Sequence, residues 1–287
     1  MNFDSFIGDI NGNNWDVYGV EVYEDGVLTH SYGDTTENLH DIYSATKAII
    51  SIAVGIATDE KKFDISKSVL HYLPQNKLLQ ISDKQKRTFE KITIQRLLTM
   101  SVADFPFRPE GSSYIDFALQ TEIADPDERV FNYNNISAYL VGVALTEFLG
   151  MDLGAFIEER IFRPLGITRF EYNRCPEGYF YGASGTKLTV NELSRLGLML
   201  YNKGIFDGKR ILSEAYINEA TSIQQMNREG GYGFFIWKYR DGFSINGKWG
   251  QKCYVLPERK LMISYLAHME EGSQILKRSM ESNILEI

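Results

Sequence analysis

Alternation of apolar and polar residues is strongest at the two ends of the chain. In residues 15–33, "WDVYGVEVYEDGVLTHSYG", two β-rich runs flank Asp25-Gly26, a dipeptide suited to a tight reversal, and a hairpin is predicted there. Residues 252–268, "KCYVLPERKLMISYLAH", repeat the pattern: a strand through Val255, a turn at Pro257–Arg259, and a second strand over Leu261–Ala267. The chain is thus expected to open and close with strands, before a short amphipathic tail over residues 273–285. Between the ends the period turns helical. Residues 92–100 ("ITIQRLLTM"), 135–150 ("NISAYLVGVALTEFLG") and 152–162 ("DLGAFIEERIF") each read as helix, the last stopped by Pro164 and Gly166. Thr189 and Glu192 stand at capping-box spacing ahead of a further helix that is expected to end at Gly204.

Strands at both ends with helices between predict an α/β protein of the α+β type, with a mixed, mainly antiparallel sheet flanked by helices. The expected division is an α/β domain from residues 1–60 and 180–287, a mainly helical domain from 61–179, and an active site between them.

Composition narrows the class. A chain of 287 residues that is 44% hydrophobic can bury a full core. A net charge of -8, with only short runs such as "DEKKFD" and "DKQKR", argues against a nucleic-acid partner. The opening "MNFDSFIGDINGNNW" lacks a basic start and a continuous apolar segment, and no apolar run reaches membrane-span length, so a cytoplasmic protein without a membrane span is expected. Cys175 and Cys253 lie far apart, and His30, His40, His71 and His268 are scattered, so no disulfide framework, metal site or cofactor is expected.

One helical stretch carries candidate chemistry. Residues 42–57, "IYSATKAIISIAVGIA", are apolar on nearly every side, yet Lys47 sits in the first turn. Desolvating an ammonium is expensive, and a buried lysine is usually paired or pushed toward its neutral form. A helix starting just after Ser44 places Ser44 and Lys47 on one face, one turn apart. A lysine in a low-dielectric pocket can take the serine's proton, and the helix N-terminus favours a developing oxyanion. S-x-x-K is a weak pattern, expected by chance roughly once in a chain this long. A second copy, Ser184 to Lys187 in "YGASGTKLT", lies in a Gly-rich turn and reads as chance with a solvated lysine. For the first copy, an N-cap serine with a snorkelling lysine stays open on local grounds.

The segment "RVFNYNNISAYLVGVALTEFLG" places Tyr133 and Asn135 just ahead of a strongly apolar helix. S-x-x-K opening a buried helix, followed by F-x-Y-x-N-x-x-x-Y-L-x-G, resembles the serine β-lactamase and penicillin-binding-protein superfamily, especially its class C and esterase-like branch. "ITIQRLLTMS", "FRPLGI", "YGASGTKLTVNELSRLGLMLYNKGIFDGKRILSEAYI" and "GQKCYVLPERKL" agree with that branch, and the likeness covers residues 33–268. The resemblance implies that Ser44 is acylated, Lys47 assists its deprotonation, Tyr133 shuttles a proton to and from the leaving group, and Asn135 hydrogen-bonds Lys47 or the substrate.

The third motif of that superfamily, K-T-G or a variant with His or Trp first, departs here. Counting back from Pro257 gives Ile245-Asn246-Gly247, which keeps the glycine and lacks the cation, whereas Lys248-Trp249-Gly250 restores a lysine closer to the proline. The first register is preferred because "GKWGQ" resembles the edge strand of ester- and amide-cleaving members. In it the backbone N–H groups of Ser44 and Lys248 form the oxyanion hole, with Asn246, Gly247 and Trp249 toward the substrate.

The expected function is a serine hydrolase that cleaves a small ester or amide through an acyl-enzyme, with neither metal nor organic cofactor. The alternatives are a penicillin-recognising D-peptidase or β-lactamase, whose substrates carry the carboxylate that the missing cation would bind, and a non-catalytic binding protein that keeps the fold.

Overall fold

Asp25 and Gly26 both take left-handed backbone angles, φ 49° and 79°, which turn strand β1 (Val17–Glu24) directly into β2 (Val27–Gly33). The computed structural model describes residues 1–287. The other strands of the main sheet come from the far end: β3 (Trp237–Tyr239), β4 (Gly242–Gly247), β5 (Gln251–Leu256) and β6 (Leu261–Ala267). Every neighbour is antiparallel, in the order β2-β1-β6-β5-β4-β3. The chain ends are therefore stitched together by β1 against β6. All seven residues of β6 are buried, as its near-continuous apolar sequence requires of a strand covered on both faces.

One correction concerns the first element. The chain opens with a helix, α1 (Phe3–Gly12), not with strands. Asn2 caps it by accepting from the Ser5 N–H, and Phe6 and Ile10, four residues apart, are its buried stripe. Two apolar residues in a polar segment give a weak periodic signal, and the stripe gains its meaning only from its partner, the C-terminal helix α5 (Ser273–Asn283). The two meet through Asn2 N–H to the Asn283 carbonyl (2.7 Å) and Ser279 Oγ to Asp9 (2.6 Å). Together they cover one face of the sheet, over a core that includes Val20, Tyr254, Ile263 and Tyr265.

The opposite face carries the main core of 65 buried residues, which runs without a break from the sheet into the helices. At its centre lie α2 (Thr46–Lys61), buried continuously from Thr46 to Ala57, and α3 (Ile136–Leu149), buried from Ile136 to Leu145. A helix apolar all round belongs in an interior, and these two pack on each other. The Thr189–Glu192 capping box is present and opens α4 (Val190–Tyr201), which lies across β5 and β6. That helix stops at Tyr201, three residues before Gly204 turns the chain at φ 87°. The predicted helix at 152–162 begins as α-helix over Leu153–Ile157 and widens to a π turn over Glu158–Phe162. α5 (Ser273–Asn283) fills the predicted amphipathic tail. No single helix is long and apolar enough to cross a membrane.

Candidate active site

The turn that bears Ser44 is clamped on both sides. Ile42 N–H donates to the Thr186 carbonyl (3.0 Å), and His40 and Asp41 pair with Leu188 and Lys187 as a two-residue ladder. Tyr43 then takes φ 47°, an uncommon angle for a bulky residue, and one 3-10 turn, Tyr43–Ala45, leads into α2. Backbone held in a sparsely populated region persists where the surroundings over-determine it. Here it lifts Ser44 off the helix proper. No side chain caps the start of α2, so the N-cap alternative for Ser44 does not describe this structure. The Ser44 hydroxyl instead receives a hydrogen bond from Lys47 Nζ at 3.1 Å.

Lys47 is 1% exposed and faces no carboxylate. Its three ammonium protons meet three neutral acceptors: Ser44 Oγ, Asn135 Oδ1 at 2.8 Å and the Ala183 carbonyl at 2.8 Å. Burial without a counter-charge lowers its pKa to about 7. As a neutral amine it can keep donating to Asn135 and Ala183, which leaves its lone pair directed at Ser44. That is the geometry a general base requires.

Tyr133 and Asn135 arrive from the loop before α3, fixed by Asn132 N–H to the Met100 carbonyl (2.8 Å) and Asn135 N–H to the Phe107 carbonyl (2.6 Å). The Tyr133 ring stands 5.0 Å from Lys47 Nζ. Burial raises its phenol to about 12, partly offset by hydrogen bonding to Ser44. It therefore stays protonated at neutral pH and suits proton transfer better than permanent charge. The Trp237 and Tyr232 rings pack on it at 5.4 and 6.2 Å.

Strand β4 carries the altered third motif. Ile245 is 1% exposed and belongs to the main core, so this position holds an apolar contact where a cation was sought. Gly247 is required by close approach: a Cβ there would lie 2.3 Å from the Ile42 carbonyl oxygen. That approach brings the end of β4 against the Ser44 turn. "GKWGQ" is not edge strand but the turn between β4 and β5, with Trp249 at φ 62°. Lys248 N–H has no acceptor within the protein. The Lys248 ammonium lies 4.7 Å from the Tyr43 ring and 3.5 Å from that of Trp249, and Trp249 meets Tyr43 edge-on at 5.0 Å. Thus Gly247 meets Ile42, and Lys248 and Trp249 meet Tyr43, in the turn that bears Ser44, while Asn246 lies on the opposite face of β4 from Ile245, lining a separate cavity.

Two contributors escaped the sequence reading. Ala183 supplies a backbone carbonyl, which any residue type could do, so no signal in the sequence marks it. Trp237 and Phe131 line a groove of about 780 Å³ beside Tyr133, together with Met226, Arg129 and Arg228. Their aromatic clustering needs residues about a hundred positions apart to meet. No group of three or more His, Cys, Asp or Glu side chains is arranged to hold a metal ion.

The family described as Beta-lactamase matches residues 18–278. A "Putative D-alanyl-D-alanine carboxypeptidase" of Salmonella gallinarum (strain 287/91 / NCTC 13346) is 24% identical over 168 residues, which span 53% of this chain and 38% of that protein. Among solved structures, a "Putative 6-aminohexanoate-dimer hydrolase" from Bacillus anthracis superposes with a TM-score of 0.80 at 20% identity, over 97% of this chain and 80% of that one. A "putative beta-lactamase" from Bacteroides dorei DSM 17855 gives 0.79 at 18% identity, over 99% and 98%. At such identities the superpositions speak for the fold alone. With the family match spanning nearly the whole chain, this protein belongs to the Beta-lactamase family of serine hydrolases and penicillin-binding-protein-like proteins.

Proposed function

We propose that the protein is a serine hydrolase that cleaves a small ester or amide through an acyl-enzyme on Ser44. The observation that carries this reading is Lys47: a buried lysine with three neutral acceptors, one of them Ser44 Oγ, and a pKa lowered to about 7. Such a site costs stability, because an ammonium is desolvated there with no counter-charge to offset it.

In the proposed cycle, neutral Lys47 removes the Ser44 proton as Oγ attacks the carbonyl carbon. The resulting oxyanion lies between the N–H groups of Ser44 and Lys248. Tyr133 then donates its proton to the departing oxygen or nitrogen and regains one from Lys47. Water attacks the acyl group along the reverse proton route, which releases the acid and restores Ser44. Burial raises the Tyr133 phenol well above neutral pH, which suits it to donate a proton and leaves the resident base to Lys47.

A D-peptidase or β-lactamase reading draws on the carboxypeptidase relative, and buried Ile245 at the third-motif position argues against it. Intact-mass measurement after a fluorophosphonate probe tests the reading. One adduct, present in wild type and in Ser184→Ala but lost in Ser44→Ala, is expected. No adduct at any serine would favour a binding protein that has kept the fold.

A further inference from the structure

Strand β4 has two faces with different chemistry. Phe243 and Ile245 enter the main core, whereas Ser244 and Asn246 line a cavity of about 350 Å³ bounded also by β5 and α5. Directly across the β4–β5 ladder from Asn246 stands Lys252, and Lys277 reaches in from α5. Lys252 is half-buried, and its ammonium forms no hydrogen bond or ion pair with the protein. The Asn246 side-chain N–H₂ donates to nothing within the protein, and the Asn246 Oδ1, an acceptor, is buried without a partner. Lys277 approaches Glu281 only at 3.8 Å. A third ammonium, Lys238, and a single carboxylate, Glu229, complete the charged lining, so cations outnumber anions around the cavity.

Unpartnered polar groups in a half-closed site ask for an explanation. Solvation alone would serve a lysine that projects into water, but Lys252 is half-buried in the cavity wall, and burial together with Lys277 lowers its pKa to about 8. Two neighbouring ammonium groups that raise each other's cost are relieved by one anion between them. The cavity is also joined to the catalytic side. Trp237 and Glu229 line both it and the groove beside Tyr133, and Trp237 packs on Tyr133 itself.

We propose that this cavity binds a small oxyanion, a carboxylate or phosphate group, between Lys252 and Lys277, with the Asn246 Nδ2 N–H and the Ser244 hydroxyl donating to it. The anion is either a terminal group of the hydrolysed substrate, laid over Trp237 from Ser44, or a free ion. The first source rests on the hydrolase reading and the second does not. Charge missing at position 245 is thereby supplied one strand away, on the other face of β4.

Two measurements test this. In the first, thermal unfolding of wild type, Lys252→Met, Lys252→Arg and the remote surface variant Lys203→Met is followed with and without phosphate, acetate or succinate at constant ionic strength. In the second, kcat/KM is compared for p-nitrophenyl butyrate and for mono-p-nitrophenyl esters of succinic, glutaric and adipic acid. Saturable stabilisation by an added anion in wild type and Lys203→Met, lost in Lys252→Met and partly restored in Lys252→Arg, supports a free-anion site. Preference for one carboxylated ester, reduced about tenfold or more in Lys252→Met with neutral butyrate unaffected, supports a substrate subsite. If no ester is cleaved yet anion binding depends on Lys252, the hydrolase reading falls and this one stands. If neither quantity responds to Lys252 in variants that unfold cooperatively, the proposal is overturned.

Discussion

The chain contains S-x-x-K twice, and only the surroundings separate the copies. Lys47 is 1% exposed, meets neutral oxygens and has its pKa lowered to about 7. Lys187 has a side chain 39% exposed, pairs with Glu171 at 2.7 Å, and has its pKa raised by that partner. Y-x-N also recurs. Tyr133 faces Ser44 and Lys47, whereas Tyr216 is buried in a helix and gives its hydroxyl proton to the Ser51 carbonyl at 2.8 Å. Identical spacing therefore yields chemistry in one place and scaffold in another. What differs is burial without counter-charge, which activates a lysine, against exposure with a counter-charge, which pacifies it. The inert copy is still connected to the site: Ala183, just ahead of Ser184, holds Lys47 Nζ, and Thr186 N–H donates to Thr46 Oγ1 at 3.4 Å.

The comparison breaks most sharply at the serines. Ser44→Ala should lower hydrolysis of a cleaved ester by roughly 10³-fold or more, with Ser184→Ala near wild type. Equal losses in steady-state kinetics would erase the distinction drawn between the two copies. Next come the tyrosines. Tyr133→Phe should cost about 10²- to 10⁴-fold in kcat, as loss of a proton-transfer group does. Tyr216→Phe should leave kcat alone and cost about 1 kcal/mol of stability, readable by urea unfolding.

Lys47 sharpens the comparison through pH. Its folded pKa, about 7, lies below the unfolded value of about 10.4, so between those values the unfolded chain holds more protons and stability rises with pH. Below about pH 7 both states are protonated and the full cost of burial is present. Wild-type stability relative to Lys47→Met should be flat below pH 7 and climb by on the order of a few kcal/mol towards pH 10. Activity should rise with slope one to a plateau above about pH 7, since the neutral amine is the working form. A Lys187→Met variant should alter neither profile, and a flat difference curve for Lys47 would mean that its ammonium is never released.

The smallest effect expected is one of specificity. With Ile245 at the third motif, p-nitrophenyl butyrate should exceed nitrocefin in kcat/KM by about tenfold or more, the size of one charge-assisted hydrogen bond. The carboxylate of a β-lactam is fixed close to its scissile amide, whereas Lys252 lines a cavity on the face of β4 opposite Ile245. Because Ile245 is in the core, Ile245→Lys should lower Tm rather than confer β-lactamase activity. Efficient nitrocefin turnover by wild type, abolished in Lys248→Ala, would instead assign the missing cation to Lys248.

The sequence by itself determined the elements whose signals are local. The Asp25-Gly26 hairpin, the Thr189–Glu192 capping box and the apolar bodies of α2 and α3 follow from turn angles, side-chain capping and an unbroken apolar surface, all written within a few residues. It also singled out Ser44 and Lys47, because their S-x-x-K opens a helix too apolar to face water, while Tyr133 and Asn135 came from the resemblance to the serine β-lactamase and penicillin-binding-protein superfamily. Tertiary structure alone decided the rest. Whether a lysine is a base depends on which neutral oxygens surround it, and Lys47 draws two of its three from positions 88 and 136 residues away. α1 needed α5 to make sense of its two apolar residues, and "GKWGQ" is a turn because Trp249 and Gly250 take left-handed angles, φ 62° and 99°, between β4 and β5. Lys252 found Asn246 only through the pairing of β4 with β5. Spacing fixes what one turn of chain can do, whereas pKa and solvent access are set by groups that only folding brings together.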